Sequence, residues 1–292
     1  MILSNSIVDV IIPCFNAEKF IEETLKSVFS QTEKNVSIII VNDGSTDNTK
    51  EILNKFKDRV LILEHKDGVN KGAPAALNLA IKKSSSPYIA FLDADDIFFK
   101  EKIKKQIEIL NNKKEVGLVY TNGFAIDEKN VHLYQLFPDN FTESGDSKML
   151  LLDNYIRTPS IVMIRRALLK ETGLFCEKVK FAKDHDMWLN FAEISSIYYI
   201  SEPLAGYRQH ADQQSLQRNQ WDEGFIVLQK ACDRYPYSRT QKNKRIAVLN
   251  YRLGEHEFKN RNKLSALYYM ILSFIFDPKR AICFLISKIK NY

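Results

Sequence analysis

Three carboxylates stand within four positions in the stretch Phe91-Leu92-Asp93-Ala94-Asp95-Asp96. They follow directly on an apolar run over 88–92, which reads as a short buried strand. Clustered negative charge at the end of a buried strand is costly unless something positive sits beside it. In open α/β sheets that end of the strands is where ligands bind. Asp93 and Asp95, two apart, have the spacing to share one hard cation such as Mg²⁺, which takes oxygen ligands and keeps substrate phosphates in its shell. Acids also favour the first turn of a helix, and residues 100–110 have a helical pattern. One carboxylate would meet that need; three favour a metal–phosphate site.

The elements that must position this cluster can be read around it. Residues 8–12 form a β-branched strand ended by Pro13, followed by the loop Pro13-Cys14-Phe15-Asn16. Phe20, Ile21, Leu25, Val28 and Phe29 fall on one face of a helix over 18–31. A wholly apolar strand over 36–41 suits a parallel strand covered on both faces, and it stops at Asn42-Asp43-Gly44-Ser45-Thr46-Asp47. A helix over 49–56, a strand over 60–63, a loop with Gly68, Asn70 and Gly72, and a helix over 75–82 lead to the acidic stretch. Strand–helix alternation at this spacing means βαβ units and a parallel sheet. Asp43-Gly44 followed by Ser and Thr is explained by a tight turn and a helix cap. That does not explain why three strands end in polar loops sharing one sheet edge, where Asn16, Asp43 and Asp93–Asp96 converge. Further on, the pattern predicts a helix over 100–110, a strand over 116–120, weak patterning over 121–150 and a strand over 158–164. A short helix over 165–172 is stopped by Gly173, and a helix entered through 181–188 reaches about residue 193. A strand follows over 196–200. Beyond residue 213 the pattern is helical, interrupted by Pro236 and Pro278.

Composition narrows the class. The chain has 292 residues, 45% hydrophobic and 27% charged, which is globular rather than disordered and large enough for one big domain or a domain plus an appendage. Cys14, Cys176, Cys232 and Cys283 are far apart, which argues against a disulfide framework or structural zinc and fits a reducing, cytoplasmic setting. No secretory signal is expected from the first nine residues, and no apolar run approaches the roughly 20 residues that span a bilayer. The net charge of +6 is unevenly spread: residues 231–292 hold 13 Lys/Arg against 4 Asp/Glu, leaving 29 against 32 in 1–230. Because the basic tail is also rich in Leu, Ile, Phe and Tyr, an anionic membrane surface suits it better than nucleic acid. There is no GxGxxG, no GxxxxGK[ST] and no HExxH, which weakens dehydrogenase, NTPase and zinc-protease readings.

Six short motifs in order make the chain resemble the family 2 glycosyltransferases, of GT-A fold. They are Val10-Ile11-Ile12-Pro13-Cys14-Phe15-Asn16, Asn42-Asp43-Gly44-Ser45-Thr46-Asp47, Asn70-Lys71-Gly72 with Asn78, Asp93-Ala94-Asp95, Lys183-Asp184-His185-Asp186-Met187-Trp188, and Arg208-Gln209-His210 with Ser215. The resemblance covers residues 8–215. It implies an α/β, Rossmann-like mixed, mostly parallel sheet flanked by helices, with a nucleotide-sugar half at about 1–120, an acceptor half at about 121–215, and a helical, basic extension over 216–292.

Roles also follow from the resemblance. Pro13, Phe15, Asn16, Asp43, Asn70, Gly72, Asp93 and Ala94 would line the nucleotide, with Phe15 on the base and Asp43 accepting from a base N–H. Asp93, Asp95 and His210 would hold Mn²⁺ or Mg²⁺, and Arg208 with His210 would close over the diphosphate. Asp184 would be the general base of an inverting displacement, although by its position alone it serves equally as a helix N-cap. Lys183, Asp186 and Trp188 fall on the acceptor side, Asp186 reading as a structural acid and Trp188 as core; His185 is expected exposed or at the acceptor. Three residues depart from the family pattern: Asn42 for an Asp, Leu77 for an Arg, and Lys183 for a Glu. A lysine before Asp184 would lower its pKa or point at the acceptor.

The expected activity is transfer of a sugar from a nucleotide-diphosphate sugar, UDP preferred, to a hydroxyl of a glycan or lipid-linked acceptor in surface-polysaccharide biosynthesis. The alternative is a non-catalytic sugar-nucleotide-binding or scaffolding relative; a nucleotidyltransferase would need a Gly-rich, Arg-containing N-terminal loop that is missing. The apolar tail segments, 264–276 and 281–287, are too short to span. They read as a packed helical cap, as an interfacial anchor on the cytoplasmic face of the membrane, which is favoured, or as a homodimer contact.

Overall fold

The computed structural model describes residues 6–143, 145–211, 219–280 and 282; Ser215 and nearly all of 281–287 lie outside these. The chain runs β1 (Val8–Cys14), α1 (Ile21–Phe29), β2 (Val36–Asn42), α2 (Thr49–Asn54), β3 (Leu61–Glu64), α3 (Ala73–Lys83), β4 (Tyr88–Phe91), β5 (Ile97–Phe98), α4 (Lys102–Asn112), β6 (Val116–Ile126) and β7 (His132–Gln135). It continues with α5 (Ser147–Leu152), β8 (Val162–Arg165), α6 (Leu169–Thr172), α7 (Lys183–Ile194), β9 (Ser196–Arg208), α8 (Asn219–Arg234), α9 (Arg239–Lys259) and α10 (Lys263–Phe276). Two compact units result: Met1–Gly145 with Ile156–Lys178 and Asn190–Gln213, and Asp146–Tyr155 with Val179–Leu189 and Gln214–Tyr292. Segments 146–155 and 179–189 thus group with the C-terminal helices rather than with the sheet.

The first unit is built on one mixed sheet of strand order β3-β2-β1-β4-β8-β6-β9-β5, with β7 on the free end of β6. β3, β2, β1 and β4 are mutually parallel, as the alternating pattern predicts, and β8 inserts antiparallel between β4 and β6. The apolar runs of β1 and β4 are fully buried, and α3 packs on β1 and β2. β1 runs through Pro13 to Cys14 rather than stopping at residue 12. Leu92 N donates to Ile11 O while Asp43 N donates to Cys14 O, so alternate residues of β1 face β4 and β2. Pro13 therefore faces the β4 side, where β4 has already ended, and its missing N–H costs no ladder bond.

Three later strands also differ from the sequence pattern. β6 extends to Ile126 and β9 to Arg208, pairing in parallel across register shifts at Asn122 opposite Pro203. Pro203 hides the continuity of β9 because it interrupts the alternation, yet the bulge absorbs it. The 158–164 segment begins as a 3₁₀ turn over Pro159–Ile161 before β8.

In the second unit α9 opens with a reciprocal capping box between Ser238 and Gln241. A side chain at Gly254 would put its Cβ 2.9 Å from Met270 Cε, so this glycine admits α10 against α9. The opposite face of α10 is uncovered: Leu264, Leu267, Tyr268, Ile271, Phe274 and Ile275 are between 49% and 84% exposed. No helix among the described residues is long and apolar enough to cross a membrane.

Asp9 anchors the other end of β1. Its buried carboxylate accepts from Ser84 Oγ at 2.6 Å, Ser85 N and Ser86 N at 2.9 Å, Ser86 Oγ at 2.8 Å, and Ser37 Oγ. Burial pushes its pKa up, but the donors led by Ser37 and Ser84 outweigh that and hold it below the usual carboxylate value. A depressed folded pKa gives stability that is present above the unfolded value and lost as pH falls through the folded one. Asp9→Ala should lose about 2–4 kcal/mol at neutral pH. It should also lose less further stability than the wild type on acidification to about pH 3. Urea denaturation at both pH values measures this.

Candidate active site

The C-terminal ends of β1, β2 and β4 bring their loops to one edge of the sheet, as the topology requires. Asn16 is the hinge between the first two. Its backbone is left-handed, with φ of 49°, its N donates to Ser45 Oγ at 3.0 Å, and its side-chain oxygen accepts from Thr46 N at 2.8 Å. Ala17 N and Glu18 N donate to Thr49 Oγ1 and Asp47 Oδ2. Phe15 projects beside them, 44% exposed, a large apolar ring left facing solvent.

Asp43 is buried beneath this loop pair and already engaged: its carboxylate accepts from Lys71 N at 2.9 Å and Gly72 N at 2.8 Å. His65 Nε2 lies 3.3 Å from Asp43 Oδ1. Asn70 Oδ1 accepts from Gly72 N at 3.0 Å, closing the loop on itself. The loop packs so tightly on Gly44, at φ +74°, that a Cβ there would lie 2.7 Å from Asn70 N. Lys71 points away and pairs with Asp67 at 3.0 Å on the surface.

The acidic stretch is a tight turn, with Asp96 N donating to Asp93 O and Asp93 N donating to Ser160 Oγ. Thr24 Oγ1 lies within hydrogen-bond distance of Ala94 O and Asp96 O, and Ala94 is buried. Asp95 Oδ2 stands 2.9 Å from His210 Nε2, whose ring packs on Phe20. Asp93 and Asp95 remain partly exposed, whereas Asp96 is wholly buried. Asp96 accepts from Ser160 Oγ at 2.5 Å, Thr158 Oγ1 at 3.1 Å and Arg208 N at 2.8 Å. Burial, then the charges of Asp95 and Asp93, raise its pKa well above the usual value. It caps no helix: α4 begins only at Lys102.

Arg208 is placed differently from the expected clamp over a diphosphate. β9 carries it inward, where its side chain is completely buried over Phe20. Its guanidinium donates to Asp95 O at 2.7 Å, Glu23 Oε2 at 2.8 Å and Asp127 O at 3.1 Å. It is the counter-charge of the acidic turn, not an exposed grip. Cys14, behind the turn, is no nucleophile: burial, then Asp47 and Asp95, push its thiol far up.

In the second unit Asp184 occupies the first turn of α7, with Lys183 Nζ 3.2 Å from its Oδ2. Its Oδ1 is shielded from solvent without a hydrogen-bond partner among the described residues. The neighbouring residues are structural. Trp188 is fully buried, which removes it as an acceptor platform, and Asp186 is buried against Lys230 Nζ. His185 is buried rather than exposed, with Nε2 2.7 Å from Leu150 O and Nδ1 3.3 Å from Arg245. Desolvation, then Arg245, hold its pKa near about 3, so the ring is neutral. Glu223 of α8 does work that the motifs do not reveal: its carboxylate accepts from the backbone N–H of Lys180, Phe181 and Ala182 and fixes the entry to α7.

These motifs agree with what the chain is similar to. The Glycosyl transferase family 2 profile matches residues 9–173. The chain belongs to glycosyl transferase family 2. It is 36% identical over 211 residues to an uncharacterized glycosyltransferase of Rickettsia prowazekii, covering 71% of this chain and 65% of that one. It therefore spans just under two thirds of that relative's length. It is 35% identical over 184 residues to the Escherichia coli UDP-Glc:alpha-D-GlcNAc-diphosphoundecaprenol beta-1,3-glucosyltransferase WfaP, covering 63% and 69%. Among solved structures, Staphylococcus aureus TarS 1–349 in complex with UDP-GlcNAc superposes with a TM-score of 0.70 at 17% identity, covering 94% of this chain and 82% of that one. The Pyrobaculum calidifontis mannosyltransferase PcManGT in complex with GDP-Man and Mn²⁺ gives 0.60 at 17% identity, covering 99% and 81%. At these identities the structures share the GT-A fold.

Glu223→Ala strips three N–H groups of their common acceptor at the start of α7. It should cost roughly 1–3 kcal/mol of stability. Thermal unfolding of the variant beside the wild type measures it, and Glu223→Gln, which keeps an acceptor oxygen, should recover about half of the loss.

Proposed function

We propose that this chain is an inverting, metal-dependent glycosyltransferase. It moves a sugar from a nucleotide-diphosphate sugar, UDP-linked by preference, to a hydroxyl of a glycan or lipid-linked acceptor in cell-surface polysaccharide biosynthesis. The observation that carries the reading is the Asp95–His210 pair at the edge of the sheet, beside the loops of Asn16, Asp43 and Asn70. The relatives WfaP, which acts from UDP-Glc on a diphosphoundecaprenol-linked sugar, and TarS, bound to UDP-GlcNAc, support the donor and acceptor classes.

The donor set fits a divalent cation. Asp95 Oδ2 and His210 Nε2, 2.9 Å apart, are a carboxylate oxygen and an imidazole nitrogen, donor types that a divalent cation such as Mn²⁺ accepts. No group of three or more His, Cys, Asp or Glu side chains poised for a metal occurs among the described residues. A site that keeps substrate phosphates and water in the remaining positions needs no third protein ligand. Asp95, His210 and Asp93 would hold Mn²⁺ or Mg²⁺, which offsets charge on the departing nucleoside diphosphate. Pro13, Phe15, Asn16, Asn70, Gly72 and Ala94 would shape the nucleotide pocket, Phe15 covering the base and the Asp43 carboxylate reading a base N–H. Asp184 would take the proton of the acceptor hydroxyl as its oxygen bonds to the anomeric carbon, while the bond from that carbon to the diphosphate breaks with its electron pair. Lys183 would hold one of its oxygens, Oδ2, at 3.2 Å, while Oδ1 makes no hydrogen bond to the described residues.

The apolar stripe of α10 supports attachment to a membrane surface in its plane. Its residues recur at helical spacing, with Lys259, Arg261, Lys263, Lys279 and Arg280 beside them.

Asp184→Asn should leave nucleotide and metal affinity within about twofold and lower transfer by roughly 10²–10⁴-fold. Calorimetry and a product assay separate the two effects, and equal transfer by the variant removes Asp184 as base. Leu267→Asp combined with Ile271→Asp should release the protein from sedimenting anionic vesicles; undiminished co-sedimentation rules out the stripe as anchor.

A further inference from the structure

At the end of the sheet opposite the acidic turn, the C-terminus of α3, the start of β4 and the end of β8 surround a surface groove of about 650 Å³. β8 is antiparallel to β4, with Arg165 opposite Tyr88, so the end of β8 lies at the beginning of β4, away from Asp93. Lys82, Arg165, Arg166 and Lys170 line the groove, with Ser84 and Ser85, and no carboxylate lines it. This stands out in a sequence region whose acids outnumber its bases.

The four cations are not equivalent. Arg165 is committed to the fold, donating to the carbonyls of Leu110 and Val116 at 2.7 and 3.2 Å. Arg166 is held at one end only: its Nε donates to Ser86 O at 2.8 Å and its backbone N to Pro87 O at 2.9 Å. Its two terminal nitrogens make no hydrogen bond to the described residues, although the side chain is half-buried and fixed in place. Lys82 and Lys170 are exposed, and neither makes an ion pair among the described residues. Lys82 also complements the C-terminal end of the α3 dipole. Asp9, bonded to the lining residues Ser84 and Ser85, also accepts from Ser37 and Ser86. The result is a concave site where a guanidinium fork held at its Nε, two exposed ammonium groups and two serines line one volume, and like charges raise the local potential.

We propose that this groove binds a phosphate-bearing ligand, a phosphate or diphosphate group, at a site separate from the donor nucleotide. A guanidinium fork reads phosphate oxygens bidentately and lysines add point charges around them. The apolar wall of Ile81, Leu169 and Leu174 would border the non-phosphate part. The phosphate could come from a soluble molecule or from a lipid headgroup, and the test separates the sources.

Inorganic pyrophosphate is titrated by calorimetry into the full chain with UDP saturating and no divalent cation present, since pyrophosphate would chelate it. A parallel arm measures sedimentation with vesicles of phosphatidylcholine alone or mixed with phosphatidylglycerol. Lys82→Ala combined with Lys170→Ala changes only exposed side chains, and Arg166→Gln probes the fork. The expected result is pyrophosphate binding weakened roughly tenfold or more by either change, with UDP affinity unaltered. A soluble ligand gives that result without any difference between wild type and the lysine variant on the vesicles. A lipid headgroup gives in addition a drop in anionic-vesicle binding by the lysine variant. Absence of both effects, or pyrophosphate binding equal in wild type and variants, overturns the proposal. Because the readouts are taken away from the donor site, they stand whether or not Asp184 proves to be the base.

Discussion

The structure depends on how negative charge is tolerated at the edge of its sheet. Asp93, Asp95 and Asp96 follow a strand with no exposed residue, and Glu23 adds a fourth carboxylate. Unit charges about 4 Å apart repel by roughly 4 kcal/mol at an effective dielectric near 20, so such a turn does not persist uncompensated. Compensation comes from within: Arg208, completely buried, donates to the Asp95 carbonyl and the Glu23 carboxylate at once. Ser160, Thr158 and the Arg208 N–H satisfy Asp96 from three sides. Asp93 and Asp95 stay partly exposed at the sheet edge, Asp95 paired with His210.

This constraint ties the topology to the chemistry. β9 delivers both Arg208, which stabilises the turn, and His210, two residues later, which meets Asp95. Holding Arg208 N to Asp96 and Arg208 Nε to Asp95 O makes the turn and the end of β9 one body, which fixes the Asp95–His210 separation. The loops after β1, β2 and β3 are organised the same way: Asn16 bridges the first two, and Asp43 holds the third by two backbone N–H groups. A side chain at Gly44 would break that junction.

How much of this was legible in the sequence follows from how local each feature is. The first four strands, their order of loops and the family showed themselves because apolar runs and turn residues are local signals. The length of β9 did not, since Glu202 and Pro203 interrupt its pattern and only pairing with β6 and β5 keeps it a strand. The resemblance makes Arg208 a ligand grip, and an arginine two residues before a histidine looks the same in sequence whether it faces phosphate or the interior. Its burial depends on Glu23, Asp95, Asp127 and Glu128, far apart in the chain. His185 misread as exposed for the same reason, its partners being Leu150 and Arg245. Glu223 was invisible because its three partners lie about forty residues upstream. A polar residue's surroundings are set by contacts that composition and spacing do not encode.

In the proposed function, the exposed part of the acidic turn binds a nucleoside diphosphate through a divalent cation. Titration of a panel of nucleotide sugars into the protein, with Mn²⁺ and again with a chelator, addresses it directly. At least one, a UDP-sugar first, should bind with Mn²⁺ and lose roughly tenfold or more of its affinity without it. Affinity unchanged by the chelator, or no binding by any member of the panel, would contradict it.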